Sequence, residues 1–213
     1  MAEGLAFDPR LDEIISLVGA LERISAADLD RLAPGVNQGV AAKLRPRRIH
    51  TLAEIIEFGP DLIVALDGIE DPQNLGAVLR SAEAAGAGAV LLPERRTAPL
   101  SAVAVKASAG ASEHLRVARV AGLPSSIATL RRAGYWCLAL DPRGEILPWE
   151  FDLRQRLVVV IGGEGQGVHR LVRERCDARV RLPMAGRVAS LNAAAAAAAM
   201  LYEVTRQRAI GGA

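Results

Sequence analysis

LVVVIGGEGQGVHR, residues 157–170, joins a strand, a loop and the start of a helix. The opening run of Leu157, three valines and Ile161 is apolar without alternation. A sheet with one wet face alternates apolar and polar residues, whereas a continuous run requires a parallel sheet covered on both faces. Gly162, Gly163, Gly165 and Gly167 follow at once. Glycines there permit positive φ and let a ligand approach the backbone closely. The spacing is not G-x-G-x-x-G, and no Gly-Lys-Ser/Thr follows, so neither a dinucleotide fingerprint nor a phosphate loop is present. Glu164 sits inside the loop near a helix N-terminus, where negative charge is favoured. The stretch reads as a binding loop for a non-phosphate ligand, or more plainly as a tight strand–helix turn.

Outward from this stretch, apolar strands alternate with helical patterns. Strand patterns are DLIVALDG (61–68), AVLLP (89–93), HLRVARV (114–120), YWCLALD (135–141) and ARVRLP (178–183). Helical patterns are DPQNLGAVLRSAEAAG (71–86), LSAVAVKASAG (100–110), LPSSIATLRRAG (123–134), HRLVRERC (169–176) and SLNAAAAAAAMLYEVTRQR (190–208). This alternation predicts an α/β domain with crossover connections and a parallel-rich sheet bearing helices on both faces. In such sheets ligands collect beyond the carboxyl ends of the strands.

The first 40 residues read differently, as short helices. DPRLDEIISLVGAL (8–21) opens with Asp8 and Pro9, and Leu11, Ile14, Ile15 and Val18 follow helical spacing. SAADLDRLA (25–33) is a second helix with Ser25 as its cap, and VNQGVAAKLRPRRIH (36–50) reads as a connector.

Composition narrows the class. The 213 residues are 51% hydrophobic and 23% charged, which excludes a disordered or fibrous chain. No apolar run approaches the roughly 18 residues of a membrane helix. The N-terminus, MAEGLAFDPRLDE, carries acids where a signal peptide carries bases, so a cytoplasmic location and no membrane partner are expected. Cys137 and Cys176 fit no zinc pattern and read as buried free thiols. His50, His114 and His169 are scattered, so no metal site is expected. A net charge of +2 is no polycationic signature, but almost every base is Arg, and Lys43, Arg45, Arg47 and Arg48 cluster, as do Arg95 and Arg96. Arginine's planar fork suits phosphate. Seven aromatics are too few for a base-stacking platform.

Two further segments stand beside strand ends. In 67–86, Asp71 can cap a helix that starts at Pro72, with Asn74 and Ser81 on one face and Arg80 about 120° round from Asn74. In 181–200, the strand is expected to end at Pro183, a loop containing Gly186 follows, and Ser190 can cap a long helix with Asn192 in its first turn. The seven alanines 193–199 make a smooth helical face. Singly, each segment also reads as a capped surface or core helix.

Taken in this order and at these distances, the three segments resemble the motifs of the SpoU (TrmH-like) group of RNA ribose 2′-O-methyltransferases, within the SPOUT superfamily. The resemblance covers about residues 60–208. Residues 67–86 resemble the first motif with Asn74 and Arg80 in the matching places, 157–168 the second with Glu164, and 180–192 the third with Ser190 and Asn192. The likeness is greatest to the branch acting on guanosine of 23S rRNA. NQGVAA (37–42) is similar to its His-Gln-Gly-Val-Ala stretch, although Asn37 replaces the His, and PMAGRVASLN (183–192) is similar to its third motif. That branch carries a ribosomal-protein-L30e-like domain, and the start of this chain resembles only its second half. The implied organisation is a partial L30e-like RNA-binding segment at 1–45, a linker at 46–60 and a SPOUT methyltransferase domain at 61–213.

The resemblance further implies a C-terminal trefoil knot that binds S-adenosylmethionine (SAM), with contacts at Gly162, Leu182 and Leu191 and with Met184 beside them. It implies a homodimer, for which Ala193–Ala199 offers a close-packing face. The implied reaction moves a methyl group from the sulfonium to a ribose 2′-hydroxyl without a metal, because the leaving group departs neutral. Arg80 is the family's catalytic arginine. Its very high pKa makes it a poor base, so orientation of a phosphate or oxyanion is the expected role. Asn74, Ser190 and Asn192 would position the ribose and Glu164 would fix the glycine loop. Alternatives are a tRNA-directed enzyme of the Gm18 kind and a non-catalytic RNA-binding assembly factor on the same scaffold; rRNA is the expected RNA.

Overall fold

The computed structural model describes residues 13, 15–17, 21–34, 37, 39–41 and 47–210. The chain divides into two compact units, residues 1–47 and 48–213. In the first, α1 (Ala26–Leu32) starts where Ser25 accepts a hydrogen bond from the Asp28 amide, the cap expected from the sequence. Most of the helix expected at 8–21 and much of the connector at 36–50 lie outside the described residues.

The second unit is built on six parallel strands: β1 (Leu62–Asp67), β2 (Ala89–Pro93), β3 (Arg116–Val120), β4 (Trp136–Leu140), β5 (Leu157–Gly162) and β6 (Ala178–Val180). Their order is β3-β2-β1-β5-β4-β6. All six residues of β1 are buried, as are the first five of β5, as unalternating runs require. One face packs Leu62, Val64 and Leu66 against α3 (Pro72–Ala84), α4 (Ala102–Ala107) and α8 (Ala193–Ile210). The other packs Ile63, Ala65 and Val158 against α2 (Leu52–Phe58), α6 (Leu123–Arg132) and α7 (Arg170–Arg173). A short helix, α5 (Ala111–His114), leads into β3.

Three local details differ from the sequence reading. Residues 52–58, within the stretch expected as a linker, form α2. Thr51 caps it and Glu54 returns a bond to the Thr51 amide, which holds the Glu54 carboxyl at about 2. The strand expected to end at Pro183 ends at Val180, because the Arg181 amide turns away to the Ile146 carbonyl, 2.9 Å. The long helix starts at Ala193, and its cap is Asn192 rather than Ser190: Asn192 Oδ1 accepts from the amides of Ala194 (2.9 Å) and Ala195 (3.3 Å).

Residues 178–181 run between two partners. On one side β6 pairs with β4, in register Leu138↔Ala178. On the other, Ile146 pairs with Val180. Gly144 makes this close passage possible, since a Cβ there would stand 2.7 Å from the Arg179 carbonyl oxygen. The far end of α8 is tied back by Arg208, which donates to the carbonyls of Asp61 (3.0 Å) and Gln155 (3.1 Å).

Candidate active site

Strand order reverses direction between β1 and β5, the switch point where open parallel sheets place ligands. The last pair in that register is Asp67↔Gly162. There the glycine loop folds onto itself: the Gly167 amide donates to the Gly163 carbonyl at 3.1 Å, and the Gly163 amide to the Asp67 carbonyl at 2.8 Å. A Cβ on Gly162 would stand 2.1 Å from the Gly167 carbonyl carbon, and one on Gly163 would stand 1.9 Å from the Gly68 carbonyl oxygen. These two glycines are therefore required by the loop's own packing. Gly165 and Gly167 are needed for their positive φ, +85° and +63°.

Four of the expected residues meet a single cavity of about 830 Å³ through their backbone or side chains: Gly162, Leu182, Met184 and Leu191. Its volume is within the roughly 300–1,000 Å³ of small-molecule sites. Glu164, Ser190 and Asn192 line the same cavity. Asn74, Glu164 and Asn192 come from three distant segments and form one cluster. Asn192 Nδ2 donates to Glu164 Oε1 at 2.6 Å and to Asn74 Oδ1 at 2.9 Å; Asn74 Nδ2 donates to Glu164 Oε1 at 3.2 Å. The Asp71 cap holds the Asn74 amide at 3.1 Å and so fixes where its side chain starts. Ser190 lines the cavity but does not take part in this cluster. Arg80 is brought to neither cavity at this sheet end; it lies exposed on α3, six residues beyond Asn74.

Asn192 carries two duties, helix cap and cluster hub, through opposite ends of one amide. Asn192→Ala is expected to destabilise the fold by about 1 kcal/mol, the scale of a lost cap, and to lower turnover by more than that loss explains. Thermal melts beside initial rates check this; unchanged turnover would reduce Asn192 to a cap.

Sequence reasoning assigned no role at this sheet end to the side chains that complete it. Asp67 is buried at the end of β1 and accepts from the His169 amide at 2.7 Å. His169 Nε2 lies 3.3 Å from Arg96 Nη1. Asp141, buried at the end of β4, receives Arg173 Nη1 at 2.9 Å and the Arg143 amide at 2.8 Å. Burial alone would raise the Asp141 pKa, but these bonds outweigh it and hold the carboxyl below its ordinary value. A depressed native pKa adds stability above the unfolded value of about 3.9, lost as pH falls through the native value. The urea midpoint of wild-type protein should thus fall below about pH 4, more steeply than that of Asp141→Asn. Equal slopes would remove this pair from the acid response. Cys137 is buried and Cys176 half-buried; burial raises both thiols, Cys176 to about 12, so both stay protonated at neutral pH.

Comparison with known proteins decides the family. A model of the SpoU rRNA Methylase family matches residues 61–202. The chain belongs to the SpoU rRNA methylase family. A 23S rRNA (guanosine-2′-O-)-methyltransferase RlmB from Pseudomonas aeruginosa is 39% identical over 98% of this chain and 87% of its own. Among solved SpoU-type structures, the methyltransferase AviRb from Streptomyces viridochromogenes, in complex with AdoMet, superposes with a TM-score of 0.78. It is 28% identical over 99% of this chain and 82% of its own. An AdoMet-bound rRNA methyltransferase from Sinorhizobium meliloti gives 0.79 at 28% identity, over 93% and 77%. The SpoU family model spans all six strands and all three polar segments at their ends.

Proposed function

We propose that the protein is a SAM-dependent methyltransferase that modifies the ribose 2′-hydroxyl of a guanosine in 23S rRNA. The observation that carries the reading is the Asn74–Glu164–Asn192 cluster on the wall of the 830 Å³ cavity. The residues present fit SAM. Leu182, Met184 and Leu191 offer apolar surface to a ring and methylenes, and the Glu164 carboxylate suits a cationic centre, while Asp141 is already paired with Arg173. When bound, that cofactor supplies an electrophilic methyl group on a sulfonium.

The protein's own groups do the rest. Asn74 and Asn192 occupy one oxygen of Glu164, which leaves Oε2 to accept from a ribose hydroxyl. Ser190, beside Asn192 at the cavity wall, adds a hydroxyl for the sugar. Arg80, outside the cavities and always charged, orients a phosphate or developing oxyanion on the RNA. Gly162, Leu182, Met184 and Leu191 would hold the cofactor, which would give its methyl carbon to the 2′-oxygen and leave as a neutral thioether, with the hydroxyl proton going to solvent or a neighbouring acceptor.

Chain path, assembly and location belong to the same proposal. Residues 178–181, held between β4 and the Ile146 segment, support a chain threaded through the β4–β5 crossover as a trefoil knot, a rare feature in proteins. The face of α8 turned away from α3 keeps Ala195, Ala199 and Tyr202 exposed, which supports a homodimer packed there. The L30e-like assignment of 1–45, the linker at 46–60 and the methyltransferase domain at 61–213 remain part of this reading, as does a cytoplasmic site of action. No helix among the described residues is long and apolar enough to cross a membrane.

Mapping 2′-O-methyl positions in rRNA and tRNA from cells with and without the protein tests the substrate. One guanosine in 23S rRNA should lose its mark on deletion. A lost tRNA mark would favour the Gm18-like alternative, and no lost mark together with no calorimetric heat on SAM addition would favour a non-catalytic assembly factor.

A further inference from the structure

A second cavity, of about 620 Å³, opens on the other side of the glycine loop. It shares Gly163, Glu164, Gln166, Gly167 and Ala193 with the larger one, so the Asn74–Glu164–Asn192 cluster stands in the partition between them. The charge around it is unusual for a site on an RNA-directed protein. Asp67, Glu70, Asp71 and Glu164 face one permanent cation, Arg96. Three of these carboxylates are committed: Asp71 to the α3 cap, Asp67 to His169, Glu164 to two amides. Glu70 is exposed and has no partner among the described residues.

Arg96 is held in an uncommon state. Its φ is +57°, a conformation that bulky side chains adopt only where the surroundings impose it. A guanidinium only donates, so His169 Nε2, 3.3 Å away, is the acceptor, while Nδ1 stands 3.0 Å from Asp67 Oδ1 without hydrogen-bond geometry. The buried carboxylate fixes the His169 backbone through its amide at 2.7 Å, and the imidazole aims the guanidinium.

We infer that this cavity is a guanine pocket in which Glu70 and Arg96 read the base of the target nucleotide, with His169 as a positioning residue. The inference rests on the reading of the chain as a guanosine 2′-O-methyltransferase. An excess of carboxylates repels a phosphate but suits a neutral ligand rich in donors. Guanine offers adjacent donors, N1–H and the N2 amine, to a carboxylate, and adjacent acceptors, O6 and N7, to an arginine fork. With the base in the small cavity and the methyl donor in the large one, the ribose falls at the partition.

Atom-specific substitution tests it. Unmodified 23S rRNA transcripts would carry guanosine, inosine (no N2 amine) or 7-deazaguanosine (no N7) at the mapped target. Wild-type kcat/KM should drop about 10- to 100-fold on either analogue, the scale of a bidentate base contact. Glu70→Ala should be indifferent to inosine, and Arg96→Ala to 7-deazaguanosine, while calorimetric SAM affinity and melting temperature stay at wild-type values. His169→Gln, which keeps an acceptor for Arg96, should retain 7-deazaguanosine sensitivity that His169→Ala loses. Equal analogue penalties in wild type and variants would overturn the pocket. So would an Arg96→Ala effect uniform across the analogues, with the salt slope of RNA binding flattened by about one phosphate contact. Wild-type protein that methylates no transcript would instead overturn the underlying activity and the pocket with it.

Discussion

Arg80→Ala should lower methyl transfer by about 10- to 100-fold, the cost of losing a charge-assisted bond that orients a phosphate of the RNA, while SAM affinity changes by no more than about 1–2 kcal/mol. The separation follows from position. Arg80 lies about 9 Å along α3 from Asn74 by the helical rise, exposed and outside the cavity assigned to the cofactor. Its side chain can meet the RNA but has no part in shaping the methyl-donor pocket. Single-turnover rates with saturating SAM and calorimetry on the same preparation separate the two effects. Wild-type turnover in the variant would remove Arg80 from the mechanism, and loss of SAM binding would make its role structural.

Gly163→Ala is the second large effect. The added Cβ would stand 1.9 Å from the Gly68 carbonyl oxygen, which is backbone and has little room to give. The Gly163 amide bond to Asp67, 2.8 Å, pins the other side. Overpacking of this kind costs about 1–3 kcal/mol. Relief requires the loop to swing away from β1, which carries Glu164 away from Asn74 and Asn192. The variant should therefore lose both SAM binding and methyl transfer at temperatures where circular dichroism still reports a folded sheet. Gly165→Ala meets open space and differs only through its positive φ, so it should melt lower by about 1 kcal/mol and keep measurable SAM binding. Similar SAM affinity in Gly163→Ala and wild type would contradict the packing argument.

The alternation of strands and helices from residue 61 onward was legible because burial on both faces leaves an unmistakable pattern. Every strand expected there is present. The cluster was legible only through the resemblance, since Asn74, Glu164 and Asn192 are separated by up to 118 residues and meet solely through the sheet. Some misses had a readable signal: Thr51 and Glu54 form a capping box that marks α2. The capping role of Asn192 rather than Ser190 turned on where the loop runs. The Asp67–His169–Arg96 chain had no signal, because a carboxylate at a strand end and a histidine 102 residues later acquire meaning only when β1 and β5 pair.

The most direct measurement uses SAM labelled in its methyl group with an unmodified 23S rRNA transcript, followed by alkaline hydrolysis. A 2′-O-methyl group blocks cleavage at its own linkage, so the label should emerge in a single alkali-resistant dinucleotide beginning with guanosine. Label in a fully hydrolysed mononucleotide would place the methyl on a base and contradict the account, as would RNA that stays unlabelled in the presence of protein with SAM bound.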